Sequence, residues 1–369
     1  MIYIDAINVN PKAFVIRCLA VAVLILLSGW LLTKSWAEPV TSSEAGGPRK
    51  VIVGTSIFSV FETQRPYKSL EKRLEEIGQR LGEMDAEARA GYGRGLDVAV
   101  FPELSLNRRG VSEESMVERA VPLAGQVRDA LGAMAKTYNT YLVVSFNLRE
   151  EGGGRASNAA VVFDRKGDLA GIYRKVFLTP KPDGTLEGGK IPGTEFPVFE
   201  TDFGRMAVAI CFDMGFDEVM QAYADKGAEL ILWPSMSPQT LIPRFYAKKF
   251  GFHIVSATPR DNASVFDPSG QIAAQTTQEG ALAAEIDLDF RVVHFQPALR
   301  DGQALKERFG DRVGFRYSTT EDTGIFWSND ATLPIATMLK EIGVLCEPEL
   351  RGLARKKRDA ALAASNATE

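Results

Sequence analysis

The chain has 369 residues, of which 45% are hydrophobic and 24% charged, a composition typical of a globular enzyme with one large domain or two ordinary ones. Its formal net charge of −4 argues against nucleic acid as a general partner, because phosphate binding requires a clustered basic surface. Only two histidines occur, His253 and His294. This scarcity argues against hydrolases that need a base histidine and against zinc sites built from several histidines.

The cysteines leave room for a reactive thiol. There are three, and Cys18 lies in an apolar stretch near the N-terminus, so at most one disulfide can form in the folded part, between Cys211 and Cys346. We therefore expect no disulfide framework.

The N-terminal region carries an apolar run at residues 13–33, interrupted only by Arg17. Its uncharged part, residues 18–33, is slightly short for a membrane span and slightly long for the core of a signal peptide. Lys12 and Arg17 precede that part. The N-terminus is therefore predicted to stay cytoplasmic, with the bulk of the chain on the exported (periplasmic or extracellular) side.

Two interpretations of this run remain open. It is either an uncleaved membrane anchor at residues 13–34 or a signal peptide cleaved near Ala37, which would release a secreted protein. The anchor is favoured because the twelve preceding residues are long for the basic start of a signal peptide. A buried core helix is disfavoured, because Gly, Pro and Ser residues at 38–48 separate the run from the domain.

Strands and helices alternate through the body of the chain, which predicts a layered α/β domain whose sheets are covered by helices. Strands are predicted at 51–57, 96–101, 141–146, 159–163, 169–173, 197–199, 206–210, 229–233, 252–257, 264–266, 271–276 and 282–286. Helices are predicted at 67–91, 121–138, 215–226 and 240–250. The pattern loosens after Asp289, and residues 334–362 are predicted to form a helical tail.

These patterns give five segments. They are a cytoplasmic N-terminus at 1–12, the anchor or signal core at 13–34, a linker at 35–49, the α/β domain at 50–295 and a C-terminal extension with the helical tail at 296–369. Two polar features are interpreted as structural: His253 as a packed strand residue, and the basic run at 355–358 as a solvated helix face.

Three reactive side chains each follow an apolar strand. Glu103 comes just after the strand at 96–101, Lys175 lies in a hydrophobic setting, and Cys211 stands where a strand meets a helix. Side chains at strand ends project into clefts, where α/β folds place their sites. Each signal is weak alone, since a cysteine after an apolar run is more often a core residue.

In combination the motifs resemble the nitrilase superfamily of carbon–nitrogen hydrolases, from about Val51 to Asp287. The matching segments are PELS at 102–105, YRK at 173–175, ICFDMGFDE at 210–218 and GAELILWPS at 227–235. The resemblance implies a four-layer α-β-β-α sandwich, preceded here by one N-terminal apolar helix. It also implies a homo-oligomer that acts on a small-molecule amide with neither metal nor organic cofactor.

The resemblance further implies a triad of Glu103, Lys175 and Cys211. Cys211 would attack the substrate to form a thioester, because a thiol becomes a good nucleophile when an adjacent base or cation activates it. Glu103 would take the thiol proton and later activate water. Lys175, with the backbone N–H of Phe212, would stabilise the oxyanion.

Three further residues are candidates for the same site. Glu187 matches a second glutamate that family members often carry, although a solvated loop carboxylate fits this position equally well. Trp233 and Ser235 end the strand after the nucleophile and are predicted to line the substrate pocket. For Trp233 a packing role is an equal alternative.

The sequence departs from the family pattern near the triad. Phe177 stands where a histidine is common, and residues 246–250 replace an Arg-Ala-x-Glu-Asn run. Phe212 and Asp213 after the cysteine are similar to amidase and carbamoylase branches, so an amide or carbamoyl substrate is favoured over a nitrile. Two alternatives stay open: an N-acyltransferase of the same superfamily, and a catalytically idle, membrane-anchored binding domain. The intact triad argues against the second.

Overall fold

The computed structural model describes residues 47–107 and 118–366. The predicted cytoplasmic segment and the apolar helix at 13–34 lie outside these residues, as does most of the linker. Within the described ranges, no helix combines the length and apolar character that a membrane span requires.

The elements alternate along the chain much as the patterns predict. The first half contains β1 (Lys50–Ile57), α1 (Leu70–Tyr92), β2 (Val98–Val100), β3 (Val121–Pro122), α2 (Gln126–Tyr138), β4 (Tyr141–Arg149), β5 (Ala156–Phe163) and β6 (Leu169–Arg174). The second half contains β7 (Val198–Glu200), β8 (Arg205–Val208), α3 (Asp217–Asp225), β9 (Leu230–Pro234), α4 (Leu241–Phe250), β10 (His253–Ala257), β11 (Ala263–Phe266), β12 (Ile272–Thr276) and β13 (Gly280–Asp287). The helix predicted at 121–138 is shorter than expected, because residues 121–122 pair with β4 instead.

Helix α1 shows why these segments adopt their structures. The Ser69 hydroxyl accepts a hydrogen bond from the Lys72 N–H at its start, and Gly93 ends it with a φ of 73° that glycine adopts without strain. Its buried apolar residues recur every three or four positions and so form one face against the first sheet: Leu74, Ile77, Leu81, Met84 and Ala88.

Two sheets carry the domain, and both follow the same plan. The first has the order β13-β1-β2-β4-β5-β6, with β3 beside β4, and the second has the order β12-β11-β10-β9-β8-β7. The three central strands of each sheet are parallel, and antiparallel strands flank them. The carboxyl ends of the central strands therefore meet at one edge, where loops carry functional side chains.

Alternating side chains build the layers. In β1, Ile52 belongs to the core under α1 and α2, whereas Val51 and Val53 belong to the core between the two sheets. In β9, Leu232 faces that same central core, and Ile231 faces α3 and α4 on the far side. This helix–sheet–sheet–helix order agrees with the predicted four-layer sandwich.

The C-terminal extension is more regular than the sequence pattern indicates. It contains α5 (Gln303–Phe309), β15 (Val313–Ser318), β16 (Thr323–Ser328), α6 (Ile335–Glu341) and α7 (Glu347–Asn366), and β14 (Phe290–His294) directly precedes it. The strands form a third, antiparallel sheet with its own apolar core. The predicted tail at 334–362 is two helices, separated at Gly343, whose φ is 71°. The basic run at 355–358 is exposed on α7, as predicted.

His253 is a packed strand residue, as the sequence predicted. It is 1% exposed in β10, and its ring meets the Phe290 ring edge-on at 5.2 Å. Burial and the nearby Arg316 lower the pKa of His253 to about 3, so the imidazole is neutral.

Candidate active site

Lys175 lies at the centre of a buried charge cluster. It follows β6 directly and is 1% exposed. Its Nζ donates to Oε1 of Glu103 at 3.0 Å and to Oε1 of Glu187 at 2.6 Å. Burial would lower the pKa of Lys175, but Glu103, Cys211 and Glu187 together raise it above its ordinary value. The side chain therefore stays an ammonium ion in the folded protein.

Glu103 is held by donors from three parts of the chain. It lies just past β2 and is 3% exposed. Besides Lys175, its Oε1 accepts from Nδ2 of Asn158 at 2.6 Å, and its Oε2 accepts from the backbone N–H of Met236 at 3.2 Å. These contacts fix the carboxylate in one orientation, as a positioned base requires.

Cys211 begins a single turn of 3-10 helix at residues 211–215, just beyond β8. Its φ of 45° lies in the left-handed region, which costs a non-glycine residue about 1–3 kcal/mol. The indole N–H of Trp233 donates to the Cys211 carbonyl at 3.0 Å. Such a strained turn persists because its surroundings hold it, and it presents the thiol at the end of the strand.

Asp213 ties this turn to the segment that follows Lys175. Its Oδ1 accepts from the Phe177 backbone N–H at 2.8 Å, and its Oδ2 accepts from the Tyr173 hydroxyl at 2.7 Å and the Ile210 N–H at 2.9 Å. Burial raises the pKa of Asp213 to about 6. Cys211 and Lys175 are therefore positioned by one shared carboxylate.

The environment of the thiol favours its protonated form. Burial raises the pKa of Cys211 to about 12, and Glu103 adds to the rise. Lys175 opposes it, as do hydrogen bonds from Ser235 and the Met236 backbone. The resting thiol is therefore neutral near pH 7, and its proton must leave as the bond to a substrate forms.

Glu187 is part of the charge cluster rather than a solvated loop carboxylate. It accepts from Lys175, from Nδ2 of Asn158 at 3.0 Å, from Nζ of Lys190 at 3.1 Å and from the Thr179 N–H at 3.2 Å. Burial would raise its pKa, but Lys175 and Lys190 outweigh burial and hold the pKa at about 2. Glu187 therefore supplies a fixed negative charge beside Lys175.

The remaining predicted site residues, Phe212, Ser235 and Trp233, differ in their exposure and in their contacts. Phe212, which follows Cys211 in the chain, is 40% exposed. Ser235 is buried, and its hydroxyl donates to the Ser237 carbonyl at 3.0 Å and accepts from the Ser237 N–H at 2.9 Å. Trp233 is fully buried in the core that faces α3 and α4, so it packs and holds the Cys211 carbonyl. That placement favours its packing interpretation over a pocket wall.

Sequence reasoning missed Asn158 and Lys190. Asn158 lies on β5, whose eight residues are all buried, and an amide in such a strand was the available signal. Lys190 is 7% exposed in an irregular loop three residues after Glu187, where no periodicity identifies it. Within the described ranges, no group of three or more His, Cys, Asp or Glu side chains is placed to hold a metal ion.

The two cysteines within the described residues form no disulfide bond. They are Cys211, at the site, and Cys346, which is buried in the C-terminal extension. This agrees with the expected absence of a disulfide framework among these residues.

Known proteins resemble this chain in sequence and fold. The family model described as carbon-nitrogen hydrolase matches residues 64–291. The omega-amidase NIT2 of Danio rerio is 29% identical over 233 residues, covering 57% of this chain and 83% of that protein. The omega-amidase NIT2 of Homo sapiens is 29% identical over 198 residues, covering 46% and 70% respectively.

Two solved structures share the fold at low sequence identity. Nit3 of Saccharomyces cerevisiae, a member of branch 10 of the nitrilase superfamily, superposes with a TM-score of 0.56 at 19% identity, over 73% of this chain and 97% of that one. A carbon-nitrogen hydrolase from Helicobacter pylori superposes with a TM-score of 0.54 at 21% identity, over 65% and 90%. At these identities the likeness establishes the α/β fold.

Proposed function

Because the chain belongs to the carbon-nitrogen hydrolase family of the nitrilase superfamily, we propose that it hydrolyses a small amide or carbamoyl substrate through a thioester on Cys211. The observation that carries this proposal is the buried ammonium of Lys175, held between Glu103 and Glu187 within electrostatic reach of the thiol. The amidase names of its relatives support the reaction class.

The first half of the reaction follows from the protonated thiol. Sγ of Cys211 attacks the carbonyl carbon while Glu103 takes the thiol proton, and the carbonyl oxygen becomes an oxyanion. Lys175 and the backbone N–H of Phe212 stabilise that oxygen; removing one such donor costs about 3–4 kcal/mol in other enzymes. The carbon–nitrogen bond then breaks, and the leaving amine takes the proton from Glu103, which leaves a thioester.

The second half restores the enzyme. Glu103, again a carboxylate, accepts a proton from water as the water oxygen attacks the thioester carbon. The oxyanion forms in the same place, the carbon–sulfur bond breaks, and the proton on Glu103 returns to Sγ. The products are one amine or ammonia and one carboxylic acid, and no redox partner is consumed.

The test is ammonia release by the full-length protein from primary amides, carbamoyl amino acids and nitriles. We expect release from amides or carbamoyl compounds, and none from the Cys211→Ala variant. Turnover that survives in Cys211→Ala would contradict the thioester mechanism. Transfer of the acyl group to an added amine in preference to water would favour the acyltransferase alternative, and no turnover of any substrate would favour the idle binding domain.

We further propose that residues 13–34 anchor the protein, with the catalytic domain on the exported side. The basic residues before the run and the linker after it support this topology. Sequencing the N-terminus of the mature protein tests it. A chain that begins at Met1 agrees with an anchor, whereas a chain that begins at Glu38 shows cleavage and rules the anchor out.

A further inference from the structure

Three phenylalanines form a continuous aromatic shelf beside the nucleophile: Phe177, Phe212 and Phe216. The Phe212 ring meets the Phe216 ring edge-on, with centroids 5.2 Å apart at 86°. Phe216 in turn stacks on Phe177, with centroids 3.7 Å apart at 8°. Phe212 follows Cys211 directly in the chain, so the shelf begins next to the reactive residue, and its other two rings pack against the core that faces α3 and α4.

The shelf is fixed relative to the thiol. The Phe177 backbone N–H is bonded to Asp213, which belongs to the same turn as Cys211 and Phe212. Phe212 nevertheless remains 40% exposed, although Glu103 and Lys175 of the neighbouring charge cluster are buried. An exposed aromatic side chain held rigidly at a reactive centre is a surface on which an apolar group can be buried.

The charges of the site are already balanced. Lys175 is paired with Glu103 and Glu187, and Lys190 is paired with Glu187, so two cations face two anions. A substrate carboxylate placed here would compete with Glu103 and Glu187 for these lysines. Burying a charge without a partner is strongly unfavourable, so the cluster disfavours an anionic group beside Cys211.

We propose that the acyl part of the substrate is uncharged and apolar, an alkyl chain or ring that lies on the aromatic shelf; this inference rests on the proposed function. The leaving amine must approach Glu103, which is held by Asn158 and Met236. The acyl group stays bonded to Cys211 through both half-reactions. It is therefore the part of the substrate that meets Phe212, the next residue of the chain.

The test compares hexanamide with adipamate, the six-carbon amide that ends in a carboxylate, on the full-length protein. We expect kcat/KM for hexanamide to exceed that for adipamate by about tenfold or more, since pocket contacts of this size discriminate by at least that factor. The Phe212→Ala variant should lower the ratio of kcat/KM for hexanamide over acetamide about tenfold. Phe212→Leu should retain most of the ratio.

The matched control is Phe295→Ala, because Phe295 is 56% exposed just after β14 and is not part of the aromatic shelf. It should leave the hexanamide-to-acetamide ratio unchanged. Equal or faster hydrolysis of adipamate, or an unchanged ratio in Phe212→Ala, would overturn the inference and leave amide hydrolysis standing. Failure of the wild-type protein to hydrolyse any amide would overturn the proposed function together with the inference.

Discussion

The amide nitrogen of Asn158 lies 2.6 Å from Oε1 of Glu103, and both groups are buried. The same nitrogen donates to Oε2 of Glu187 at 3.0 Å, so one side chain holds both carboxylates around Lys175. Asn158 therefore positions Glu103, the proposed base, although Asn158 is itself neutral.

Replacing Asn158 with leucine should lower kcat for amide hydrolysis by about 10- to 100-fold. A hydrogen bond to a charged group contributes about 1.5–3 kcal/mol, and Glu103 would lose its shortest contact. The control is Ser157→Ala on the same strand, which removes a hydrogen bond to Glu150 outside the site. Steady-state kinetics decide: equal kcat values for the two variants would refute the role of Asn158.

Replacing Glu187 with glutamine should shift the alkaline limb of the pH–rate profile to lower pH. Glu187 is among the groups that raise the pKa of Lys175, so removing its negative charge lowers that pKa. The Lys175 ammonium is then lost at a lower pH, and the oxyanion loses its charged donor. The control is Glu195→Gln, because Glu195 is an exposed carboxylate in the same loop between β6 and β7. This variant should leave the alkaline limb of the profile where it is. A limb that does not move in Glu187→Gln would show that Lys175 does not depend on this pair.

Replacing Trp233 with phenylalanine distinguishes a packing residue from a pocket wall. The change keeps an aromatic side chain but removes the N–H that holds the Cys211 carbonyl. We expect lower kcat and a free energy of unfolding reduced by about 0.5–1.5 kcal/mol, because the Cys211 carbonyl loses one hydrogen bond. The ratio of kcat/KM for hexanamide over acetamide should not change. A changed ratio with normal stability would place Trp233 in the pocket instead.

The free energy of unfolding should decrease at acidic pH because His253 is buried in its neutral form. The imidazole is buried and neutral, with a pKa of about 3, whereas the pKa of a histidine in the unfolded chain is about 6.5. Between these values the unfolded chain binds the extra proton. The free energy of unfolding therefore decreases as the pH falls through this window, by up to about 1.4 kcal/mol per pH unit.

Urea unfolding at pH 5 and pH 7 measures this effect. His253→Phe should reduce the difference in unfolding free energy between the two pH values, because it removes the titrating group. His294→Gln is the control for losing a histidine at a partly exposed position, and it should retain more of the difference than His253→Phe does. If all three proteins show the same difference, the burial of His253 does not set the acid stability.

The triad of Glu103, Lys175 and Cys211 was predicted from motifs that resemble the carbon–nitrogen hydrolases, because a reactive side chain after an apolar strand is a weak signal alone. The sequence did not predict Asn158, because a polar residue within a fully buried strand resembles an ordinary hydrogen-bonded core residue. The antiparallel sheet of the C-terminal extension was also missed. Its strands β14 and β15 are only partly buried and carry arginines, so their apolar alternation is weak. Their pairing with β16 depends on contacts distant in sequence, which a local pattern does not contain.

The thioester on Cys211 is tested most directly by a single-turnover experiment with excess full-length enzyme and hexanamide, stopped in acid at short times. We expect the peptide that contains Cys211 to gain the mass of the hexanoyl group, and ammonia to appear before hexanoate. In Cys211→Ala neither signal should appear. Simultaneous release of ammonia and hexanoate, with no mass on Cys211 at any time and activity retained in Cys211→Ala, would contradict the account.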